Sequence, residues 1–456
     1  LVLGGGAAGM TAALNLAGQG FPVHLIEREA RLGGNLHNMR FFVPGNGDRK
    51  TRTPQEYLEE LVSEIQGHDL IETHLSTELV DTGGFKGNFT SKLRSVDGQE
   101  ISIRHGIIIV ATGGVEYKGS HYGYGDDDRV VTQQEFEALI GDWGCREANA
   151  TLAGTGESEL EIDVPRSVVM IQCVGPAEKF CSRLCCTTAL KNALKLKELD
   201  PKADVTVIYR DIRTYGFKER LYTEARRVGV RFIHYDFDRK PDVLLSGENG
   251  PIYVDVLDPT LNRKLRLSAD LLVLSMPIVP PTGARELASQ LKLPVDMDGF
   301  FLEAHVKLRP VDFSADGVFM AGMAHYPKLL DETIAQAQAA ASRAASVLAQ
   351  ETMLTNARVA VVDPLLCVGC LTCVRICPYG VPRVDNEFTG VGGIFGAAYI
   401  EPAICHGCGS CVSECPARAI QLMHYTDAQT ITKLDALFDL DQANAGFIPV
   451  GNIDLL

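Results

Sequence analysis

Eight cysteines set in two copies of one pattern constrain this chain more than any other feature. They are Cys367, Cys370, Cys373 and Cys377, followed by Pro378, and Cys405, Cys408, Cys411 and Cys415, followed by Pro416. In a C-x2-C-x2-C-x3-C-P run, three thiolates wrap one face of an iron-sulfur cubane, the fourth reaches a second cluster, and the proline turns the chain away. Two runs predict two 4Fe-4S centres: one held by Cys367, Cys370, Cys373 and Cys415, the other by Cys405, Cys408, Cys411 and Cys377. Structural zinc, the competing use of so many thiols, favours paired C-x2-C units without a crossing fourth ligand. Residues 378–404, with Gly390-Val391-Gly392-Gly393, are longer than two adjacent clusters need. They read as a solvated loop, with a docking surface as the sharper alternative.

The remainder of the chain is large and globular. At 456 residues, 46% hydrophobic and 22% charged, it holds about three domains of roughly 100–200 residues each, and disorder is excluded as its dominant state. Its net charge of −15 disfavours nucleic acid and anionic membrane as partners, because phosphate binding needs basic surface. No apolar run approaches the roughly 18 uninterrupted residues of a membrane-spanning helix, so no transmembrane segment and a soluble protein are expected. Thirteen cysteines with metal-type spacing belong to a reducing compartment rather than a secreted disulfide scaffold, which predicts a cytoplasmic location. Leu1 already sits in a strand-like run without a preceding Met, and the numbering is expected to omit upstream residues. Cys145, outside every cluster, reads as an inert small residue. His24, His37, His105, His325, His406 and His424 show no paired ligand spacing and read as polar or packing residues.

The opening Leu1-Val2-Leu3-Gly4-Gly5-Gly6-Ala7-Ala8-Gly9-Met10 is a strand, a glycine turn and the start of a helix, and a second strand, Val23-His24-Leu25-Ile26, ends at Glu27. This is the dinucleotide fingerprint in its setting: Gly4 permits the tight turn, Gly6 admits a pyrophosphate to the backbone, Gly9 lets helix and strand pack closely, and Glu27 can hold the adenosine ribose. Two further strand-to-glycine segments, Ile107 to Gly114 and Gly317 to Gly322, complete the pattern, the second followed by an Ala-rich helix from about Thr333 to Leu348. The three pieces resemble those of flavoproteins of the glutathione and thioredoxin reductase type over about residues 1–350, which implies FAD. The candidate flavin set is Gly4, Gly6, Ala8, Gly9, Glu27, Arg28, Gly34, Asn35, Ala111, Thr112, Gly113, Gly322, Met323, Lys328 and Thr333. In those flavoproteins the residue after the last glycine is an Asp at the ribityl chain; here it is Met323. The helix start should aim its N–H groups at the flavin's pyrimidine edge and favour an anionic reduced state, and Lys328 could hydrogen-bond near the flavin or lie on the surface.

Where such flavoproteins insert a second glycine fingerprint for NAD(P)H, this chain has the strand Ser167 to Gln172 running into Cys173, Cys181, Cys185 and Cys186. A functional NAD(P)H site is not expected there. Spacing alone leaves a cluster, a zinc ion or thiol chemistry open for the four thiols; a vicinal Cys185–Cys186 disulfide would need a strained ring, and four thiolates at a helix head suit a 4Fe-4S cluster. Residues 245–265, with Glu248-Asn249-Gly250 and Asp258-Pro259-Thr260, read as hairpin turns without chemistry.

The flavin fingerprint, the C-V-G…C-S-R-L-C-C segment, the Ala-Gly-Met-Ala-His-Tyr-Pro-Lys stretch at 321–328 and the double run together resemble the A-type flavin and iron-sulfur component of heterodisulfide reductase and its relatives, over about residues 1–430. The resemblance implies a third 4Fe-4S cluster on the insert cysteines. It also implies an oxidoreductase subunit whose flavin takes an electron pair and splits it, one electron to a high-potential acceptor and one to ferredoxin. Implied partners are the other subunits of such a complex, ferredoxin and a hydrogenase- or dehydrogenase-linked iron-sulfur subunit, with a homodimer as a further arrangement and no nucleic acid. Since a flavin exchanges one or two electrons and a cubane one, their combination converts pairs into single electrons; no general acid or base is named. Two rivals stand beside this reading: a stand-alone NAD(P)H-dependent flavoprotein like the glutamate synthase small subunit, and a non-bifurcating electron carrier. The expected fold is α/β, with two Rossmann-like dinucleotide-binding domains and a small α+β bacterial-ferredoxin-like domain. Its expected parts are 1–125 and 281–350 (FAD), 126–280 (the insert), 351–425 (double cluster) and 426–456 (tail).

Overall fold

The structure is a computed structural model that describes residues 1–43, 52–152, 164–247, 250–352 and 358–438, the side chains from 145 to 152 excepted. The expectations for the Cys145 side chain and for the turn residues Glu248 and Asn249 lie outside the described residues. The chain forms two compact units, Leu1–Gly83 with Gly87–Ala349, and Gly84–Lys86 with Gln350–Leu456.

The larger unit starts with strand β1 (Val2–Leu3), helix α1 (Ala7–Ala17), strand β2 (Val23–Ile26) and, after an intervening helix, strand β3 (Ile71–His74). These strands and two later ones form a parallel sheet in the order Val318–Met320, Ile108–Val110, β1, β2, β3. Short strands covered on both faces need near-continuous apolar sequence rather than alternation, and all of Val2, Leu3, Ile108, Ile109 and Val110 are buried. On one face Val2 and Leu25 meet α1 and the helix Leu330–Leu348; on the other Leu3 and Ile26 meet the side of a three-stranded antiparallel sheet through Phe89 and Leu93. The two helices pack together through Ala337, Ala340, Ala341 and Ala344, all fully buried. Small side chains permit this close approach, and a bulky replacement would overpack it at a cost of about 1–3 kcal/mol.

Between Ile108–Val110 and Val318–Met320 the chain leaves the first sheet and builds a second. It is again parallel, in the order Arg231–His234, Asp204–Tyr209, Ser167–Ile171, Leu271–Leu274, Val130–Thr132. Departure and return run side by side as the antiparallel pair Val115–Glu116 and Ile278–Val279. Asp242–Leu245, Ile252–Asp258 and Arg263–Ala269 form the expected hairpins, and Asp258 caps one turn by accepting hydrogen bonds from the backbone of Thr260 and Leu261. This is the α/β architecture with two dinucleotide-type sheets, the second nested inside the first.

The smaller unit has two short helices, Thr372–Ile376 and Ser410–Ser413, and the antiparallel strand pair Ala360–Val362 with Ile420–Leu422. Residues 378–404, expected as a solvated loop, instead hold a hairpin of Arg383–Thr389 against Phe395–Tyr399. Ala397 and Ala398 are buried in this unit's core, which gives the long connection a packing role. Among the described residues no helix is long and apolar enough to cross a membrane.

Candidate functional site

The glycine turn after β1 is shaped by backbone needs that only glycine meets. Gly4 has φ +110°, and a Cβ there would lie 2.3 Å from the Ala111 carbonyl oxygen; one at Gly9 would lie 1.8 Å from the Gly4 oxygen, so α1 and β1 could not approach. A Cβ at Gly6 would meet nothing within 4 Å. Protein packing thus does not require glycine at Gly6, whereas a ligand lying on the backbone would. Glu27, at the end of β2, accepts hydrogen bonds from the backbone N–H of Gly5 at 2.6 Å and of Glu29 at 2.9 Å.

These residues open onto a cavity of about 1230 Å³. Its walls include Gly4, Gly6, Ala8, Glu27, Arg28, Gly34, Asn35, Ala111, Thr112, Gly113, Met323, Lys328 and Thr333. Gly9 and Gly322 lie behind the wall: a Cβ on Gly322 would come 2.6 Å from that of Ala8. Asn35 donates to the Gly114 carbonyl at 2.7 Å, and Arg28 to that of Thr282 at 3.3 Å. The Thr112 hydroxyl is buried without a protein partner. An open glycine cradle, an acidic strand end and this orphaned hydroxyl fit an extended dinucleotide cofactor. The helix expected from about Thr333 starts three residues earlier, at Leu330, where Glu332 caps it by accepting from the Leu329 N–H. Lys328 is buried, and its ammonium donates to the carbonyls of Gly322 and Tyr326 at 3.1 and 2.9 Å. Burial lowers its pKa to about 8. It is therefore no surface lysine.

The four insert cysteines gather at one end of the second sheet. Cys173 follows Ser167–Ile171 with φ 61°, and Cys185 and Cys186 open the helix Cys185–Leu199. Cys185 also lines the large cavity. Ser182 Oγ lies 3.1 Å from Cys185 Sγ, and the Arg183 N–H donates to Cys181 Sγ at 3.4 Å. Burial pushes the Cys185 thiol up to about 12 and that of Cys186 up to about 11, and neighbouring thiols add to both shifts. Cysteine binds metals as the thiolate, so a metal centre held by these four thiols would release protons on loading. Side chains stand against the turn after this strand: a Cβ on Gly175 would lie 2.9 Å from His121 Nε2 and 3.0 Å from the Tyr117 ring.

In the smaller unit, Cys367, Cys370, Cys373 and Cys415 line one cavity, and Cys377, Cys405, Cys408 and Cys411 line another. The two sites repeat their local chemistry. Cys370 lies 3.3 Å from Thr372 Oγ1 and Cys408 lies 3.6 Å from Ser410 Oγ, and these contacts, with backbone hydrogen bonds, lower both thiol pKa values. Leu371 and Gly409 take the same left-handed conformation before their helices. Backbone N–H groups of Ala398, Ala360 and Ala419 point at the sulfurs of Cys367, Cys405 and Cys415 at 3.3–3.4 Å, a contact that tunes cluster potential. Among the described residues no three thiols converge within 4.8 Å, as one tetrahedral zinc would require. The wider spacing fits a cubane.

Several wall residues carry no mark in the sequence. Glu116, Gln133, Glu137 and Lys191 line the large cavity, and Glu137 and Lys191 form a buried ion pair at 2.8 Å. They come from the inserted sheet, and no motif singles them out. Of the histidines read as packing residues, His37, His105 and His325 have local hydrogen-bond partners, and His406 stacks on Tyr379 at 3.9 Å.

Comparison with known proteins agrees with this organisation. The family model described as a 4Fe-4S dicluster domain matches residues 366–419, and that of an NAD(P)-binding Rossmann-like domain matches residues 2–57. One A-type iron-sulfur subunit of the CoB–CoM heterodisulfide reductase of Methanopyrus kandleri is 31% identical over 96% of this chain and 76% of its own length. The corresponding iron-sulfur subunit of Methanocaldococcus jannaschii is 31% identical over 97% and 77%. The A-type subunit of a ferredoxin:CoB-CoM heterodisulfide reductase of Methanosarcina acetivorans is 30% identical over 85% of this chain, which spans 61% of that relative's length. With about three quarters of two such subunits matched end to end, the chain belongs to the family of A-type iron-sulfur subunits of heterodisulfide reductase.

Proposed function

We propose that this chain is an FAD and iron-sulfur oxidoreductase subunit that converts two-electron flavin chemistry into single-electron transfers within a heterodisulfide-reductase-like complex. One observation carries the reading: Cys185 of the four-thiol insert lines the same cavity as the glycine cradle and Lys328. A cluster held there would border the cofactor without an intervening domain. FAD, when bound, supplies the capacity to exchange either one electron or two. Residues 1–125 and 281–350 would form its domain, 126–280 the insert, 351–425 the double-cluster domain and 426–456 the tail.

The chain's own residues have definite tasks. Glu27 orients the glycine turn and meets the ribose, and the Gly6 backbone faces the pyrophosphate. Lys328 places positive charge at the cavity, against which Asp331 and Glu332 of the following helix add negative charge. Cys173, Cys181, Cys185 and Cys186 hold the insert cluster, and the crossed sets in the smaller unit hold two more. Ferredoxin and the companion subunits are the proposed partners, and electron bifurcation is the proposed mode. Cysteines in place of the second glycine fingerprint favour this reading over an NAD(P)H-dependent reductase.

Anaerobic stopped-flow spectroscopy of the purified, cluster-loaded chain tests the proposal. Reduced ferredoxin should bleach the flavin, NADPH should not, and Cys186→Ala should slow the ferredoxin-driven bleaching at least tenfold. Fast bleaching by NADPH, or an unchanged rate in the variant, would overturn it.

A further inference from the structure

Away from the cavity and the thiols, β2 and β3 bring together a donor set that linear spacing conceals. In their parallel register His24 lies opposite Glu72, and Ile26 lies opposite His74. Side chains two apart on a strand share a face, so His24, Glu72 and His74 project from the sheet on one side. It is the side opposite α1, since Val23 and Leu25 pack with that helix while Ile26 packs with the antiparallel layer. His24 Nδ1 is 3.1 Å from His74 Nε2. Glu72 Oε2 lies 3.3 Å from His24 Nδ1, and Glu72 Oε1 lies 3.5 Å from His74 Nε2.

Those separations match a coordination polyhedron. Ligands at about 2.0–2.1 Å from a tetrahedral ion stand about 3.3 Å apart. Hydrogen bonding accounts for the trio less well. A neutral imidazole offers one N–H and one lone pair, so a single proton shared between the two nitrogens leaves the Glu72 carboxylate without a full hydrogen bond from either. A cation at the centre satisfies all three donors. This is the only three-donor set of His, Cys, Asp or Glu within 4.8 Å among the described residues. The side chain of His74 is 10% exposed and that of Glu72 65%, so the ion would be anchored from inside with one position open to solvent.

We propose that His24, Glu72 and His74 form a site for one divalent transition-metal ion of the zinc class, bound through two imidazole nitrogens and the Glu72 carboxylate. Borderline ions of this class accept such ligands, whereas calcium and magnesium prefer all-oxygen shells. The ion would tie β3, the edge strand of the first sheet, to β2, and the site is separate from the cluster cysteines in residue and in donor chemistry.

Zinc chloride is the probe. The cluster-loaded, flavin-loaded chain is stripped of loosely bound metal, given one equivalent of zinc and desalted; zinc is then counted and its K-edge absorption fine structure recorded. The wild type should retain one zinc with a nitrogen and oxygen shell near 2.0 Å and no sulfur scatterer. Glu72→Gln, at an exposed position, should weaken zinc retention about tenfold or more, and His24→Ala should abolish it, with iron and flavin content unchanged in both. A wild type that retains no zinc, zinc with sulfur ligands, or undiminished retention in Glu72→Gln and His24→Ala would overturn the proposal.

Discussion

The hydroxyl of Tyr326 donates a 2.7 Å hydrogen bond to the backbone carbonyl of Cys181. Tyr326 belongs to the loop after the last strand of the first sheet, and Cys181 to the thiol-rich turn of the second. One bond thus joins the proposed flavin loop to the proposed insert cluster. Arg183 reinforces it, donating to the Pro327 carbonyl at 3.4 Å with its guanidinium over the Tyr326 ring. Tyr326→Phe should remove about 1 kcal/mol from the closed state of this turn. The expected outcome is a roughly fivefold faster loss of insert-cluster iron to a chelator, followed by absorbance, with the smaller unit's iron unaffected.

Lys328 should tune the flavin through its charge. Lys328→Met should lower the flavin midpoint potential by about 30 mV, equivalent to about 1.4 kcal/mol for a two-electron couple. Because burial sets the lysine pKa at about 8, its charge is present below that value and lost above it. The gap between wild type and variant should therefore close as pH rises through about 8. Anaerobic redox titrations at pH 6.5 and 9 check both points.

Glu116 gives the fold a distinct pH signature. Burial raises its pKa to about 7, against a hydrogen bond from the Thr132 hydroxyl that acts the other way. A carboxyl whose folded pKa lies above its unfolded value of 4.5 contributes stability that is complete below 4.5 and is lost as pH rises through about 7. Glu116→Gln removes that dependence. In thermal melts its Tm should match the wild type near pH 5 and exceed it at pH 8.5 by a few degrees, at about 2–4 °C per kcal/mol.

Much of this organisation was legible in the sequence because its chemistry is local. The glycine turn, the strand ends and the double cysteine run are each set by neighbours along the chain, so Gly4, Gly6, Gly9, Glu27 and the eight paired cysteines could be read directly. Lys328 was ambiguous because its burial depends on the whole cavity wall. The Glu137–Lys191 pair escaped because its partners come from separate elements 54 residues apart. The grouping of His24 with Glu72 and His74 escaped for a related reason: it is set by strand register, and about fifty residues intervene. The connection 378–404 read as a loop because its glycines mask a hairpin whose buried positions are the small residues Gly396, Ala397 and Ala398.

One flavin and three separate clusters are proposed for this chain, with the insert cluster beside the flavin. Iron and flavin analysis with electron paramagnetic resonance of the reduced wild type, Cys186→Ala, Cys377→Ala and Cys415→Ala tests this most directly. The wild type should hold about twelve irons and one FAD, from three cubanes of four irons. Cys186→Ala should hold about eight irons with FAD retained, and the three variants should each lose or alter a different signal. Cys377→Ala should strike the cluster of Cys405, Cys408 and Cys411, and Cys415→Ala that of Cys367, Cys370 and Cys373. About eight irons in both the wild type and Cys186→Ala, or loss of the same signal in Cys186→Ala and Cys377→Ala, would contradict this proposal.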